Sequence, residues 1–146
     1  MHRRKQPKKK YTILFIATYQ NYFLENNASF RRMYNNLIYF YNHENFNVIV
    51  LQPNRDKERE KKSLKKDIKT YYFKEIHIFK KNLVPFIDFN PLFIFNVLKI
   101  IIKHKIDLIH IDYLYGINSL RLIRKIPVSY NSYNVESIYA VQVGKY

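Results

Sequence analysis

Residues 107–136 contain Asp107-Leu-Ile-His-Ile-Asp112, Tyr113-Leu-Tyr-Gly116 and, ten residues on, Ile126-Pro-Val-Ser-Tyr-Asn-Ser-Tyr-Asn-Val-Glu136. Leu108–Ile111 is an apolar run of strand length, followed by a glycine-ended turn and a short helical stretch around Asn118–Lys125. Val128–Asn131 then forms a second strand, and a polar turn leads toward another helix. Strands separated by helical crossovers belong to parallel sheets, whose ligands bind at the strands' carboxyl ends. Asp112, Tyr113, Tyr133, Asn134 and Glu136 all fall at such ends.

Upstream the same alternation recurs. Thr12–Ala17 is a continuous apolar run, as expected for a central strand covered on both faces. After an Asn-rich loop, Phe30, Met33, Tyr34, Leu37, Ile38 and Tyr41 form one stripe of an amphipathic helix from about Ser29 to Tyr41, with Ser29 or Asn27 as cap. Phe46–Leu51 is a second strand. Pro53–Lys69 is charged with mixed sign, an exposed helix or loop. Tyr71–Phe79 alternates, with Phe73, Glu75, His77 and Phe79 on one face, and is expected near a sheet edge. Asn90-Pro91 is a cap followed by a first-turn proline, opening a helix to about Lys105. That helix has a narrow polar stripe of Asn96, Lys99 and Lys103, so burial of most of its surface is expected. The fold class is α/β, a doubly wound, Rossmann-like parallel sheet with helices on both faces.

The chain of 146 residues suits one domain, and its 47% hydrophobic content can supply a core. Cysteine is absent, which excludes disulfides and thiolate metal sites and suits a reducing compartment. The net charge of +15 is uneven. Arg3, Arg4, Lys5, Lys8, Lys9 and Lys10 crowd a first segment without acids, and the stretch 54–70 holds a second excess. We read residues 1–10 as a disordered basic tail drawn to polyanions, either anionic lipid or nucleic acid; the plainer alternative is a solvated tail with no partner. The basic start before Tyr11–Tyr19 superficially resembles a secretion signal. Its apolar part is short and leads into Gln20, Asn21 and Tyr22 with no small-residue cleavage pattern. No stretch has the roughly 18 apolar residues of a membrane span.

Three places invite a ligand. Asn26, Asn27, Ser29 and Arg32 lie where the first strand feeds the first helix, a natural anion site because free backbone N–H groups gather there. Arg31 and Arg32 near that end oppose the macrodipole, a placement easier to understand with an anion between them. An ordinary surface position is the alternative. The second place is His110, Asp112, Tyr113, Tyr115 and Gly116, where Asp112 is suited to sugar hydroxyls or to an acceptor hydroxyl, and His110 reads as a core histidine. The third is 131–136, a binding rim or an ordinary helix start capped by Asn134. There is no G-x-G-x-x-G or P-loop. The histidines (His2, His43, His77, His104 and His110) show no metal-ligand spacing with carboxylates, so no metal and no cofactor are expected.

Taken in order, these segments resemble the N-terminal half of GT-B glycosyltransferases of the family 4-like group. The resemblance covers about residues 11–140. It rests on Ile13-Leu-Phe-Ile16 with Asn26-Asn27-Ala-Ser29 and Phe30-Arg31-Arg32, on Ile106-Asp107-Leu-Ile-His110, and on Ile126–Glu136. It implies an enzyme that moves a sugar from a nucleotide-sugar donor to a glycan or lipid-linked acceptor. Residues 11–146 would be a truncated acceptor-side domain, inactive alone without a C-terminal half or subunit that binds the nucleotide. Asn26, Asn27, Ser29 and Arg32 would lie near the donor phosphate or acceptor, and Asp112, Tyr113, Tyr133, Asn134 and Glu136 around the sugar. The chain departs from the family pattern at Asn26-Asn27, where glycines are usual, at Tyr133, where histidine is frequent, and at Asn131, where an acid is frequent. The implied location is cytoplasmic, peripheral at the inner membrane face. The alternative from another class is a non-catalytic α/β binding module whose basic tail takes nucleic acid or anionic membrane; on the leading reading nucleic acid is not an expected partner.

Overall fold

The computed structural model describes residues 10–18, 21–24, 28–55, 57–65, 67–75, 90–113, 116–121 and 123–131. The described elements are β1 (Tyr11–Ala17), α1 (Ala28–Tyr41), β2 (Phe46–Pro53), a 3-10 turn (Lys57–Arg59), α2 (Lys62–Lys65), β3 (Lys69–Phe73), α3 (Pro91–His104), β4 (Leu108–Asp112), α4 (Ile117–Leu120) and β5 (Val128–Asn131). The five strands form one sheet in the order β3-β2-β1-β4-β5, and every neighbouring pair is parallel. This is the α/β, doubly wound arrangement expected from the alternation of elements.

Each face of the sheet has its own core, because side chains alternate along a strand. Ile13, Phe15 and Ala17 of β1 face Met33 and Leu37 of α1, with Val48 and Val50 of β2. Leu14 and Ile16 point the other way, to Phe93, Val97 and Ile100 of α3 and to Ile109 and Ile111 of β4. Leu64 of α2 packs on the α1 side, whereas Leu120 of α4 lies on the α3 side. The connections from β1 to β3 therefore cover one face, and those after β3 cover the other. The switch falls between β1 and β4, which are neighbours. Each large apolar side chain buried in these cores stabilises the fold by about 1.5–3 kcal/mol.

The ends of α3 follow from local chemistry. The Asn90 Oδ1 accepts from the backbone N–H groups of Leu92 at 3.0 Å and Phe93 at 3.3 Å, satisfying donors that a first helical turn leaves free. Its Nδ2 donates to the Lys74 carbonyl at 2.8 Å, tying the helix start to the chain after β3. Lys105 closes the helix in the left-handed region with φ of 50°. The next turn is locked by Asp107, whose Oδ2 accepts from Thr12 N–H at 2.8 Å while its own N–H donates to Thr12 O at 2.9 Å.

Four expectations are corrected. The α3 helix is not largely buried: only Phe93, Val97 and Ile100 are, because one stripe meets the sheet and no described element covers the opposite side. The third strand starts earlier, at Lys69, and ends at Phe73, so Glu75 is buried beyond the ladder rather than within it. The helix expected at Asn118–Lys125 is the single turn Ile117–Leu120, after which Ile123 and Ile126 pack against the α3-side core in a non-helical connection. Ser29 lies inside the first turn of α1, which begins at Ala28, and is not its cap. Asn27, His77 and Phe79 lie outside the described residues.

Candidate functional site

Parallel register places Tyr72 of β3 beside Gln52 of β2. It also places Ala17 of β1 beside Asp112 of β4, and Asp112 beside Asn131 of β5. Ile16 pairs with Leu51, so Gln52 and Ala17 are level too. One row across the carboxyl end of the sheet thus reads Tyr72, Gln52, Ala17, Asp112, Asn131, polar except at its centre. Side chains in one row share a face, here the α1 face. The small Ala17 leaves the middle of the row to Tyr22, a fully buried residue of the loop after β1 that meets Phe15 edge to face at 6.1 Å.

Tyr22 joins two polar groups. Its hydroxyl donates to Asp112 Oδ2, and its backbone N–H donates to Gln52 Oε1 at 2.9 Å. On the β4 side, Asp112 is fully buried and its Oδ1 accepts from Asn131 Nδ2 at 3.1 Å. Asn131 Oδ1 in turn accepts from Arg32 Nη2 at 3.1 Å. Arg32 stands on the exposed side of α1 and reaches the end of β5, a partner 99 residues away. His110 lies one alternation before Asp112. Its ring is 4.8 Å from Phe15 and its Nδ1 is 3.3 Å from Ser129 Oγ. Its Nε2 is buried with no hydrogen-bond partner, Asp112 Oδ1 being 3.7 Å away.

On the β2 side, Glu60 gathers three donors. Gln52 Nε2 lies at 2.5 Å and Asn21 Nδ2 at 2.9 Å from its Oε1, and the Tyr72 hydroxyl lies at 2.6 Å from its Oε2. Lys65 Nζ donates to the Tyr72 hydroxyl at 2.9 Å, while the ammonium of Lys57 sits 4.9 Å from that ring's centre. Burial, and then the Glu60 carboxylate, push the Tyr72 phenol well above its ordinary value, so it remains a donor. Asn21 Oδ1 is buried without a partner, in a side chain only 1% exposed.

Of the residues expected at a site from sequence, the fold brings Arg32 and Asp112 together through Asn131. Tyr113 follows directly, with φ of 75°, a left-handed conformation costly for a tyrosine and typical of chain reversals at sites. Gly116 has φ of 92°, where a Cβ would be strained. The Ser29 backbone lies in the first turn of α1. Asn26, Asn27, Tyr115, Tyr133, Asn134 and Glu136 lie outside the described residues. Sequence reasoning missed Tyr22, Asn21, Gln52, Glu60 and Tyr72. Gln52 carried a readable signal, as a polar side chain continuing the buried run Val48–Leu51 at its carboxyl end.

Asp112, enclosed by Tyr22 and Asn131, acts on its surroundings by orienting Asn131 and through it Arg32. The outward groups of the row are the Arg32 guanidinium and the partly exposed Asn131 and Tyr113. A cation held by hydrogen bonding at a switch point suits a phosphate or a carboxylate. Among the described residues there is no cluster of His, Asp or Glu fit to hold a metal ion, and no helix long and apolar enough to cross a membrane. Comparison of the chain with protein families, with curated proteins and with solved structures finds no match.

Proposed function

We propose that this chain is the acceptor-side domain of a GT-B, family 4-like glycosyltransferase, with the carboxyl ends of β1, β4 and β5 forming its wall of the sugar cleft. The reading is carried by the chain of contacts from Tyr22 through Asp112 and Asn131 to Arg32 at the β1/β4 switch point. Open parallel sheets bind ligands at that position. In transfer, the bond between the sugar's anomeric carbon and the donor phosphate oxygen breaks. The acceptor hydroxyl oxygen bonds to that carbon, its proton passes to the departing phosphate oxygen or to water, and the nucleotide carrying the phosphate leaves. Arg32 offers charge to that phosphate. Asp112, as a positioning residue, holds Asn131 and Arg32 in place against their own rotamer freedom. A C-terminal nucleotide-binding half would supply the other wall, and the basic tail would hold the assembly at an anionic, cytoplasmic membrane face.

Amide-resolved NMR titration of the full chain tests the reading. Nucleotide-sugars, nucleoside diphosphates and neutral oligosaccharides should shift Thr18, Arg32, Tyr113 and Asn131. Arg32→Ala should abolish the shifts caused by phosphate-bearing ligands and preserve those caused by glycans. Silence of these amides toward every sugar and nucleotide, or shifts confined to the opposite end of the sheet, would overturn it.

A further inference from the structure

The α3 helix shows an unusual outer side. Opposite its buried stripe stand Leu92 and Leu98, each 44% exposed, Phe95 at 63% and Ile102 at 81%. Lys99 and Lys103 lie on the same side, and the helix contains no acid. The remaining polar residue, Asn96, turns its amide back to the Leu92 carbonyl at 2.7 Å, so it asks little of an outside partner. We propose that this side of α3 is a docking surface for an anionic lipid bilayer, with the helix lying in the interface plane.

Charge and length select that occupant. A second copy of the chain laid on this side would bring together two lysine-bearing, acid-free helix faces with no carboxylate of either helix to offset the charge. An anionic surface neutralises the same ammonium groups while their stems stay along the apolar side chains. Large exposed aliphatic and aromatic groups flanked by lysines, without acids, are the chemistry of helices that lie in a headgroup layer. At 14 residues α3 is roughly 21 Å long, too short to span. The inference does not depend on sugar transfer, and its test reads no sugar binding.

The chain contains no tryptophan, so Phe95→Trp installs a sole reporter on this side. Tyr39→Trp, on the 67% exposed Tyr39 of α1 across the sheet, is the control. Vesicles of phosphatidylcholine containing about a third phosphatidylglycerol should blue-shift the Phe95→Trp emission and leave Tyr39→Trp in water. Brominated acyl chains should quench only the former. Ile102→Glu, at an exposed position and checked for an unchanged thermal unfolding curve, should weaken vesicle binding at least about tenfold. The blue shift should survive deletion of residues 1–10. Three results would overturn the proposal. These are equal responses of the two tryptophans, no response to any vesicle (as an acidic protein partner would give), and a shift that grows with protein concentration without lipid, the sign of self-association.

Discussion

Asp112 and Arg32 are joined through the side-chain amide of Asn131 and are expected to fail differently. The carboxylate of Asp112 is fully buried and depends on donors such as Tyr22 and Asn131. Removing a donor from a buried charge costs more than losing one between neutral groups, about 1.5–3 kcal/mol. Tyr22→Phe should therefore lower the unfolding free energy by about 1.5–3 kcal/mol, read as a lower urea midpoint at unchanged slope, although the ring still fills its place against Phe15. Arg32 is exposed, and its contact to Asn131 competes with water. Arg32→Ala should stay within about 0.5 kcal/mol of the parent in the same measurement, and on the proposed function should lose phosphate-dependent shifts. If Arg32→Ala destabilised as much as Tyr22→Phe, Arg32 would be a structural strut. None of this pairing was legible in the sequence beyond the presence of Arg32 and Asp112 in strand-end segments. Tyr22 and Asp112 are separated by 90 positions and Arg32 and Asn131 by 99, and only register brings them into one row.

At the level of elements, short-range chemistry read well and tertiary coverage did not. The start of α3 was legible because Asn90 and Pro91 act within one turn. Asn90→Ala should cost about 1 kcal/mol from the lost cap, with a further loss from the Lys74 contact, read as a lower unfolding midpoint. The outer side of α3 was illegible because periodicity reports how apolar a face is, not whether anything covers it. The other end of α3 is expected to respond to pH. His104 Nε2 lies 2.7 Å from the Tyr71 hydroxyl of β3, and burial first, then Lys69 and Lys103, push its imidazole below the usual value. The unfolded chain, whose histidine titrates near its ordinary 6.5, then binds the proton more readily than the folded one. Stability should fall as pH drops below about 6.5 toward the lowered folded value, and be unaffected by this group above it. His104→Gln should remove that component of the pH dependence in denaturation curves measured between about pH 7 and 5; an unaltered profile would exclude His104 as its source.

Across the molecule, the basic residues at the start of the sequence and the outer side of α3 are both expected to respond to an anionic surface. Arg3, Arg4, Lys5, Lys8, Lys9 and Lys10 lie together at one end of the sequence, whereas α3 presents its exposed aliphatic and aromatic side chains two-thirds of the way along. The two should respond to salt in different ways. A basic residue near an anionic leaflet contributes about 1 kcal/mol and is screened beyond a Debye length of about 8 Å at physiological ionic strength. Burial of apolar side chains in the headgroup layer is not screened. Deleting residues 1–10 should therefore weaken binding to anionic vesicles by two orders of magnitude or more at low salt, and much less at about 0.5 M salt, where the tail is already screened. What remains after the deletion should fall only modestly with salt, as the two lysines of α3 allow, and vanish with Phe95→Asp. Co-sedimentation of the four proteins, parent, deletion, Phe95→Asp and the double variant, across a salt series separates the contributions. A deletion that binds as tightly as the parent at low salt would remove lipid as the tail's partner. A residual that still falls steeply with salt would mean that lysines of the folded part, rather than the apolar side of α3, hold the surface.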